Sequence, residues 1–326
     1  MTQTATAFVV DAPGRGSLQT VELPDPAPGD VVVRTLWTGI SRGTETTVFT
    51  GRVPESERER MRAPFQRGEF PGPVMYGYLN VGVVEQGPAA LMGREVFCLS
   101  PHQSRYVVPA SGVLPLPDGV PARRAVLAGA VETAVTVLWD AEPLVGDRIA
   151  VIGGGMIGAA ICRLLRALPG VEVTLVDVDE SKRDLARSLG VGFATPDDAP
   201  AGQDIVINAS GSGDGLQLGL RLVADEGEVI EASWYGDREV TLRLGEDFHS
   251  RRLSIRASQV GRVPARRRGS RSTRDRLALA LLLLRDPAFD TLLTGTSGWQ
   301  ELPDALAALA SGRLNALCHT IDWSAP

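Results

Sequence analysis

Residues 148–158 read Arg-Ile-Ala-Val-Ile-Gly-Gly-Gly-Met-Ile-Gly, and a second apolar run, Val171 to Val176, ends in Asp177. No other feature of the chain restricts its fold as much. An apolar strand over Ile149–Ile152 runs into Gly153-x-Gly155-x-x-Gly158, and the spacing of Ala159, Ala160, Ile161, Leu164 and Leu165 predicts a helix behind it. The first glycine permits a tight turn, the second lets the backbone approach a pyrophosphate, and the third lets helix and strand pack closely. Met156 and Ile157 open the helix, where unpaired N–H groups would face the phosphates. Asp177 stands where a carboxylate can accept hydrogen bonds from both hydroxyls of an adenosine ribose. Its charge would repel a 2′-phosphate, so the expected cofactor is NAD rather than NADP. Glycine-rich turns are common, but here strand, glycines, helix, second strand and acid arrive in order within about thirty residues.

Only one of the 33 basic residues is a lysine, Lys182, and it follows Asp177 closely. By itself it reads as an exposed helix residue; its position also suits a second contact to the adenosine ribose. At 326 residues, 22% charged and 44% hydrophobic, the chain suits two domains of a soluble globular protein. A net charge of −6 argues against general nucleic-acid binding. Cys98, Cys162 and Cys318 are too scattered for a disulfide framework and fit a reducing, cytoplasmic setting. Met1 to Val10 lacks the basic start and apolar run of a leader. The longest apolar stretch, Leu277 to Leu284, is too short to span a bilayer and reads as a buried helix between Arg276 and Arg285. No membrane partner is expected.

The pattern changes along the chain. Up to about Ala122 it is β-rich, with strands predicted at Thr6–Val10, Val31–Trp37, Val81–Glu85, Glu95–Leu99 and Tyr106–Pro109 between Pro- and Gly-containing turns. Residues 51–72 interrupt it with a charged, Pro-bounded stretch that reads as a surface loop or short helix. Arg123 to Trp139 is apolar at helical spacing. Strands and helices then alternate, with strands at 149–152, 171–177, 204–208, 228–233 and 253–258 and helices at 156–168, 180–189 and 215–224. Such alternation implies an α/β fold with a doubly wound parallel sheet. Beyond it come Leu277–Leu284, Leu302–Leu309 and a closing Ala316–Trp323.

A β-rich start, a central dinucleotide fold and a short return resemble the medium-chain dehydrogenase/reductase superfamily over essentially the whole chain. The resemblance implies a discontinuous GroES-like catalytic domain of residues 1–127 and 259–326, a Rossmann domain of residues 128–258, and an active site in the cleft. It also implies a homodimer acting on a small-molecule alcohol or ketone. Within the superfamily, Gly39-Ile40-Ser41-Arg42-Gly43-Thr44-Glu45 followed by Phe49-Thr50-Gly51-Arg52-Val53-Pro54 is similar to the dehydrogenases that oxidise the hydroxyethyl side chain of a bacteriochlorophyllide. That likeness spans about twenty residues and leaves the secondary alcohol open.

Most alcohol dehydrogenases of the superfamily hold a catalytic zinc, and the resemblance implies that this chain has lost it. The superfamily's Gly-x-Cys-x-(Ser/Thr)-(Asp/Glu) has Ser41 at the cysteine and one residue inserted; its Gly-His-Glu is Gly77-Tyr78-Leu79. The third ligand position, four residues before Thr133-Ala134, falls on Gly129, and the four-cysteine lobe is missing. Zinc needs three or four Cys, His or carboxylate ligands converging. Cys98 and His102 remain as a conceivable pair, though a core thiol and a cleft histidine are the plainer reading.

Without a Lewis acid, positioned donors and a proton relay must meet the developing alkoxide. Tyr78 would donate to the substrate oxygen from the place of a lost ligand, beside Ser41. Thr44 matches the superfamily's relay hydroxyl, His102 lies after a strand at the cleft, and Glu45 could orient one of them. Carried over with the resemblance, Thr133 lies near the nicotinamide and Val260 offers the backbone position that holds the carboxamide. Arg42 is placed for the pyrophosphate, and Ser210 and Ser233 end strands that face the cofactor. The cations of Arg251, Arg252 and Arg262–Arg276 would favour an anionic substrate if they faced the cleft; otherwise they are solvated faces. Two other readings stand beside a zinc-independent, NAD-dependent alcohol dehydrogenase. One is an enoyl- or quinone-type C=C reductase, the other a nucleotide-binding relative without catalysis.

Overall fold

Alternating strands and helices in the middle of the chain produce a six-stranded, wholly parallel sheet. Its order across the sheet is Gly192–Ala194, Glu172–Val176, Arg148–Ile152, Ile205–Asn208, Glu228–Glu231 and Ser254–Ala257. The chain winds outward from Arg148–Ile152 in one direction, then returns to its other side. Ligands in such sheets bind where the order reverses, at the carboxyl ends of the strands. Helices Met156–Arg166, Lys182–Leu189 and Gly213–Leu222 make the crossovers. Ala150, Ile152, Val206 and Val229 pack with Leu216, Leu220 and Leu222 in the core beneath one of them.

The computed structural model describes residues 3–324, and the chain forms two compact units. This sheet belongs to the second, Ala130–Ala280 with Asp286–Leu292; the first is Met1–Gly129 with Leu281–Arg285 and Leu293–Pro326. Residues 259–280 thus lie with the sheet-bearing unit. The first unit is built on the twelve-residue strand Asp30–Ser41. It pairs antiparallel with Asn80–Gln86, Arg105–Pro109 and Cys318–Asp322. Val31 and Val33 from this strand meet Val84, Val96, Val108 and Val113 in the core. A second sheet takes Arg15–Glu22, Thr4–Ala12, Val74–Met75 and Arg67–Gly68.

Several expectations are corrected. The helix expected over Arg123–Trp139 is two helices, Ala122–Ala125 and Ala128–Ala141, separated by a tight turn in which the Leu127 N–H bonds to the Arg124 carbonyl. Ala125, Val126, Leu127 and Ala128 run across that turn without a break, so the apolar pattern carries no mark of it. Arg15–Glu22 went unrecognised because most of it is exposed or half-buried and no alternation survives. Gly192–Ala194 is a three-residue edge strand, too short to give a pattern. Among the described residues no helix is long and apolar enough to cross a membrane.

The arginine-rich segment is not all surface. Arg276, on helix Thr273–Leu283, is 2% exposed. Its guanidinium donates to Glu132 Oε1 at 3.0 Å and to the carbonyls of Arg262 at 3.1 Å and Val260 at 2.6 Å. Burial pushes the Glu132 carboxyl upward, and the arginine charge opposes that shift. Arg276→Leu strands the Glu132 charge and should cost roughly 3–5 kcal/mol of unfolding free energy in a urea titration. Adding Glu132→Leu should recover much of the loss; an unchanged midpoint in the single variant would show that the pair carries no weight.

Candidate active site

The second unit assembles the glycine loop, whose three glycines serve three different ends. Gly153 has φ +102°, and a Cβ there would lie 2.6 Å from the Ser210 Cα. A Cβ on Gly158 would lie 1.9 Å from the Gly153 carbonyl oxygen, so helix and strand touch through bare backbone. At Gly155 a Cβ would meet nothing within 4 Å, and the residue is exposed. Gly155 is also the N-cap of Met156–Arg166, with no side chain capping that end. An open, uncapped helix start fits a pyrophosphate. Asp177 is half-buried just past its strand; Oδ2 accepts the Gly154 N–H at 2.6 Å and Oδ1 the Asp179 N–H at 2.9 Å. Lys182 reaches over the same turn, its Cγ 3.2 Å from a Cβ built on Gly154. Val178 between the two acids is 84% exposed, an apolar surface that no periodicity marks.

Further along the strand ends, Ser210 and Ser233 are tied into a polar cluster that sequence reasoning missed. Asn208 and Glu231 are buried at its centre. Asn208 donates to Glu231 Oε2 at 2.6 Å, Ser210 Oγ donates to Asn208 Oδ1 at 2.7 Å, and the Ser233 N–H donates to Glu231 Oε1 at 2.7 Å. Tyr235 donates to Glu231 Oε2 at 2.9 Å. The only sequence signal was a polar residue closing each of two apolar strands. Of the remaining cofactor positions, Val260 gives its carbonyl to Arg276, and Thr133 is half-buried one residue after Glu132. Arg42 belongs to the first unit, where it is exposed and donates to Asn315 Oδ1 at 3.1 Å. Arg251 and Arg252 ion-pair with Asp225 and Glu226.

In the first unit the strand Asp30–Ser41 runs straight into helix Arg42–Phe49, which delivers Ser41, Thr44 and Glu45 together. Tyr78 stands two residues before Asn80, the start of strand Asn80–Gln86 that pairs with Asp30–Ser41, and Cys318 lies opposite Ser41. The Ser41 and Thr44 side chains lie close enough to the Tyr78 phenol to pull its ionisation downward. Gly129 closes the other side; a Cβ there would sit 3.5 Å from the Tyr78 ring. The three positions matched to zinc ligands therefore do come together, around a tyrosine ring. Burial first, and then the Glu45 charge, push the Tyr78 phenol up to about 12, against the two hydroxyls that lower it.

His102 is not at an open surface: it is 1% exposed, and Glu45 is 3% exposed. Its Nε2 lies 2.7 Å from Glu45 Oε2 and its Nδ1 lies 2.7 Å from Thr38 Oγ1. Glu45 Oε1 accepts the Ser41 N–H at 2.8 Å. With both ring nitrogens engaged, His102 is not offered to a metal alongside Cys98, whose thiol burial pushes up to about 12. Among the described residues no three His, Cys, Asp or Glu side chains converge.

No protein-family model matches the chain. A curated relative is 2-desacetyl-2-hydroxyethyl bacteriochlorophyllide A dehydrogenase of Cereibacter sphaeroides, 29% identical over 253 residues, covering 71% of this chain and 74% of that protein. Acetophenone reductase of Geotrichum candidum, solved with NAD, superposes with TM-score 0.77 at 20% identity, over 99% of this chain and 98% of that one. A Sinorhizobium meliloti chain, termed a zinc-binding dehydrogenase and bound to NADP, superposes with TM-score 0.77 at 18% identity, over 98% and 99%. The fold is that of the medium-chain dehydrogenases, a GroES-like part with a Rossmann part. Those neighbours hold nicotinamide cofactors of both kinds.

All four tyrosines share one property. Burial raises the phenols of Tyr76, Tyr78, Tyr106 and Tyr235 above their ordinary value. Unfolded phenols ionise near ~10, so the unfolded chain loses these protons first. The stability they represent is complete below pH ~10 and falls as pH rises beyond it. Spectrophotometric titration should show phenolate appearing near pH ~10 in urea-unfolded protein and distinctly later in native protein. Coincident curves would contradict the burial of these phenols.

Proposed function

We propose that the chain is a nicotinamide-dependent oxidoreductase acting on CH–OH, interconverting a small secondary alcohol and its ketone, with NAD(H) as cofactor and without zinc. The first unit is its catalytic domain and the second its cofactor domain. The observation that carries the reading is the Tyr78 phenol among Ser41, Thr44 and Glu45, at the positions where relatives by resemblance hold a metal. A serine, a tyrosine and a glycine are a poor donor set for zinc. When bound, the nicotinamide accepts or returns a hydride. In ketone reduction Tyr78 gives its O–H proton to the substrate oxygen, and Ser41 and Thr44 relay a replacement proton from solvent to the phenol; in alcohol oxidation the same protons travel the opposite way. A phenol raised by burial and by a neighbouring carboxylate stays protonated at neutral pH, so it stands ready as the donor for reduction. His102 and Glu45, sealed from solvent, orient the set rather than exchange protons with water.

In the second unit Gly155 and the helix start hold the pyrophosphate, and Asp177 and Lys182 take the adenosine ribose. Thr133, Ser210, Ser233 and Val260 line the nicotinamide end. The edge strand Ser254–Ala257 leaves one side of the sheet unpaired, which suits a homodimer.

Asp177 decides between NAD and NADP. Wild type should bind NADH more tightly than NADPH in a fluorescence titration, and Asp177→Ser should narrow or reverse the gap; tighter NADPH binding by wild type would refute the assignment. Tyr78→Phe removes one preorganised donor and should lose ~2.7–4 kcal/mol of transition-state stabilisation, with NADH affinity nearly unchanged. Steady-state rates with a panel of secondary alcohols, before and after chelation, check both claims. A fully active Tyr78→Phe enzyme, or activity abolished by chelation and restored by zinc, would overturn the mechanism.

A further inference from the structure

Trp323, near the end of the chain, reaches the centre of the first unit. Its indole Nε1 donates to Thr38 Oγ1 at 2.9 Å, and the same oxygen lies 2.7 Å from His102 Nδ1. Glu45 lies 2.7 Å from the opposite ring nitrogen. These contacts have a direction. An indole can only donate, and a carboxylate can only accept. Glu45 therefore requires a proton on His102 Nε2, and Trp323 leaves Thr38 free to pass its own hydroxyl proton on. Among the described contacts of Thr38 Oγ1, the one acceptor for that proton is His102 Nδ1. Trp323, Thr38, His102 and Glu45 then form a ladder in which every donor meets one acceptor, and the imidazole is neutral.

We infer that Thr38 and Trp323 are positioning residues that hold His102 in its neutral, Nε2-protonated tautomer and thereby keep Glu45 an acceptor fixed beside Ser41. Strand geometry places them for it. Thr38 and Ile321 are register partners on neighbouring strands, which sets Trp323 just beyond the pairing. The Trp323 N–H of the backbone bonds to the Leu36 carbonyl, and its ring stacks on Trp299 with centroids 6.0 Å apart. A flipped ring would set carbon atoms against Glu45 and Thr38, and an Nδ1-protonated neutral imidazole would turn a lone pair toward Glu45; either leaves buried polar groups without partners. As a role in catalysis the inference rests on the proposed use of Tyr78; as a statement about His102 it does not.

The experiment is nitrogen-15 NMR of histidine-labelled protein. Three histidines are present, and His102→Gln identifies the His102 signals by their loss. Wild type should show His102 with a protonated Nε2 and a bare Nδ1 at neutral pH. Thr38→Val should abolish that pattern and shift the Trp323 indole N–H resonance, whereas Thr38→Ser, which keeps the hydroxyl, should restore both. In turnover, Thr38→Val should lower kcat by about tenfold, the scale of one hydrogen bond, and leave NADH affinity unchanged. An Nδ1-protonated or doubly protonated His102 in wild type overturns the inference, as does an unaltered His102 pattern in Thr38→Val. Should Thr38→Val fail to fold, the wild-type spectrum decides alone. A fully active Tyr78→Phe enzyme would remove the catalytic meaning and leave the tautomer as measured.

Discussion

A carboxylate taken out of water must be met by donors, and Glu45 is almost entirely out of water. That requirement runs through the first unit. Ser41 meets one oxygen through its N–H, which fixes how the strand Asp30–Ser41 turns into the following helix. His102 meets the other, which brings in the loop after Glu95–Cys98. That loop is anchored in turn by Asn80, which donates to the Pro101 carbonyl at 3.1 Å, and by Phe8, whose N–H donates to the His102 carbonyl at 3.0 Å. Segments distant in sequence thus converge because one charge needs company. Gly77 shows how close the fit is: a Cβ there would lie 2.8 Å from the His102 ring.

The second unit solves a different problem, since its loop must stay open. Asp177 has its oxygens on the Gly154 and Asp179 N–H groups, yet an ionised carboxylate offers about four lone-pair sites. Two remain open, as the proposed ribose contact requires. The acid is therefore held in place by the glycine loop itself.

Much of this was legible in the sequence because it rests on sterics that leave residue-level marks. Gly153 and Gly158 are readable since a Cβ at either would strike neighbouring backbone, and Gly155 and Asp177 because the spacing of the fingerprint singles them out. Tyr78, Ser41 and Gly129 were legible only through resemblance, as departures from a ligand pattern; nothing in their spacing brings them together. The sequence put His102 after a strand at the cleft and carried no sign of its partner, because a histidine in that place looks the same whether or not it meets a buried carboxylate. Thr38 and Trp323 left no mark at all, since their meeting is made by pairing between strands at opposite ends of the chain. Arg276 sat unnoticed in a basic run because burial of a single guanidinium depends on Glu132, far away in sequence.

One compositional oddity acquires a use in three dimensions. Lys182 is the only lysine, half-buried against the Gly154 turn. The side-chain amine chemistry of the whole molecule is thereby gathered at the mouth of the glycine loop. An acylating or aldehyde reagent has one lysine to find, and anything seated on that loop stands in its way. Occupancy of the proposed nucleotide site can then be followed as the protection of a single lysine amine, without a spectroscopic signal from the ligand.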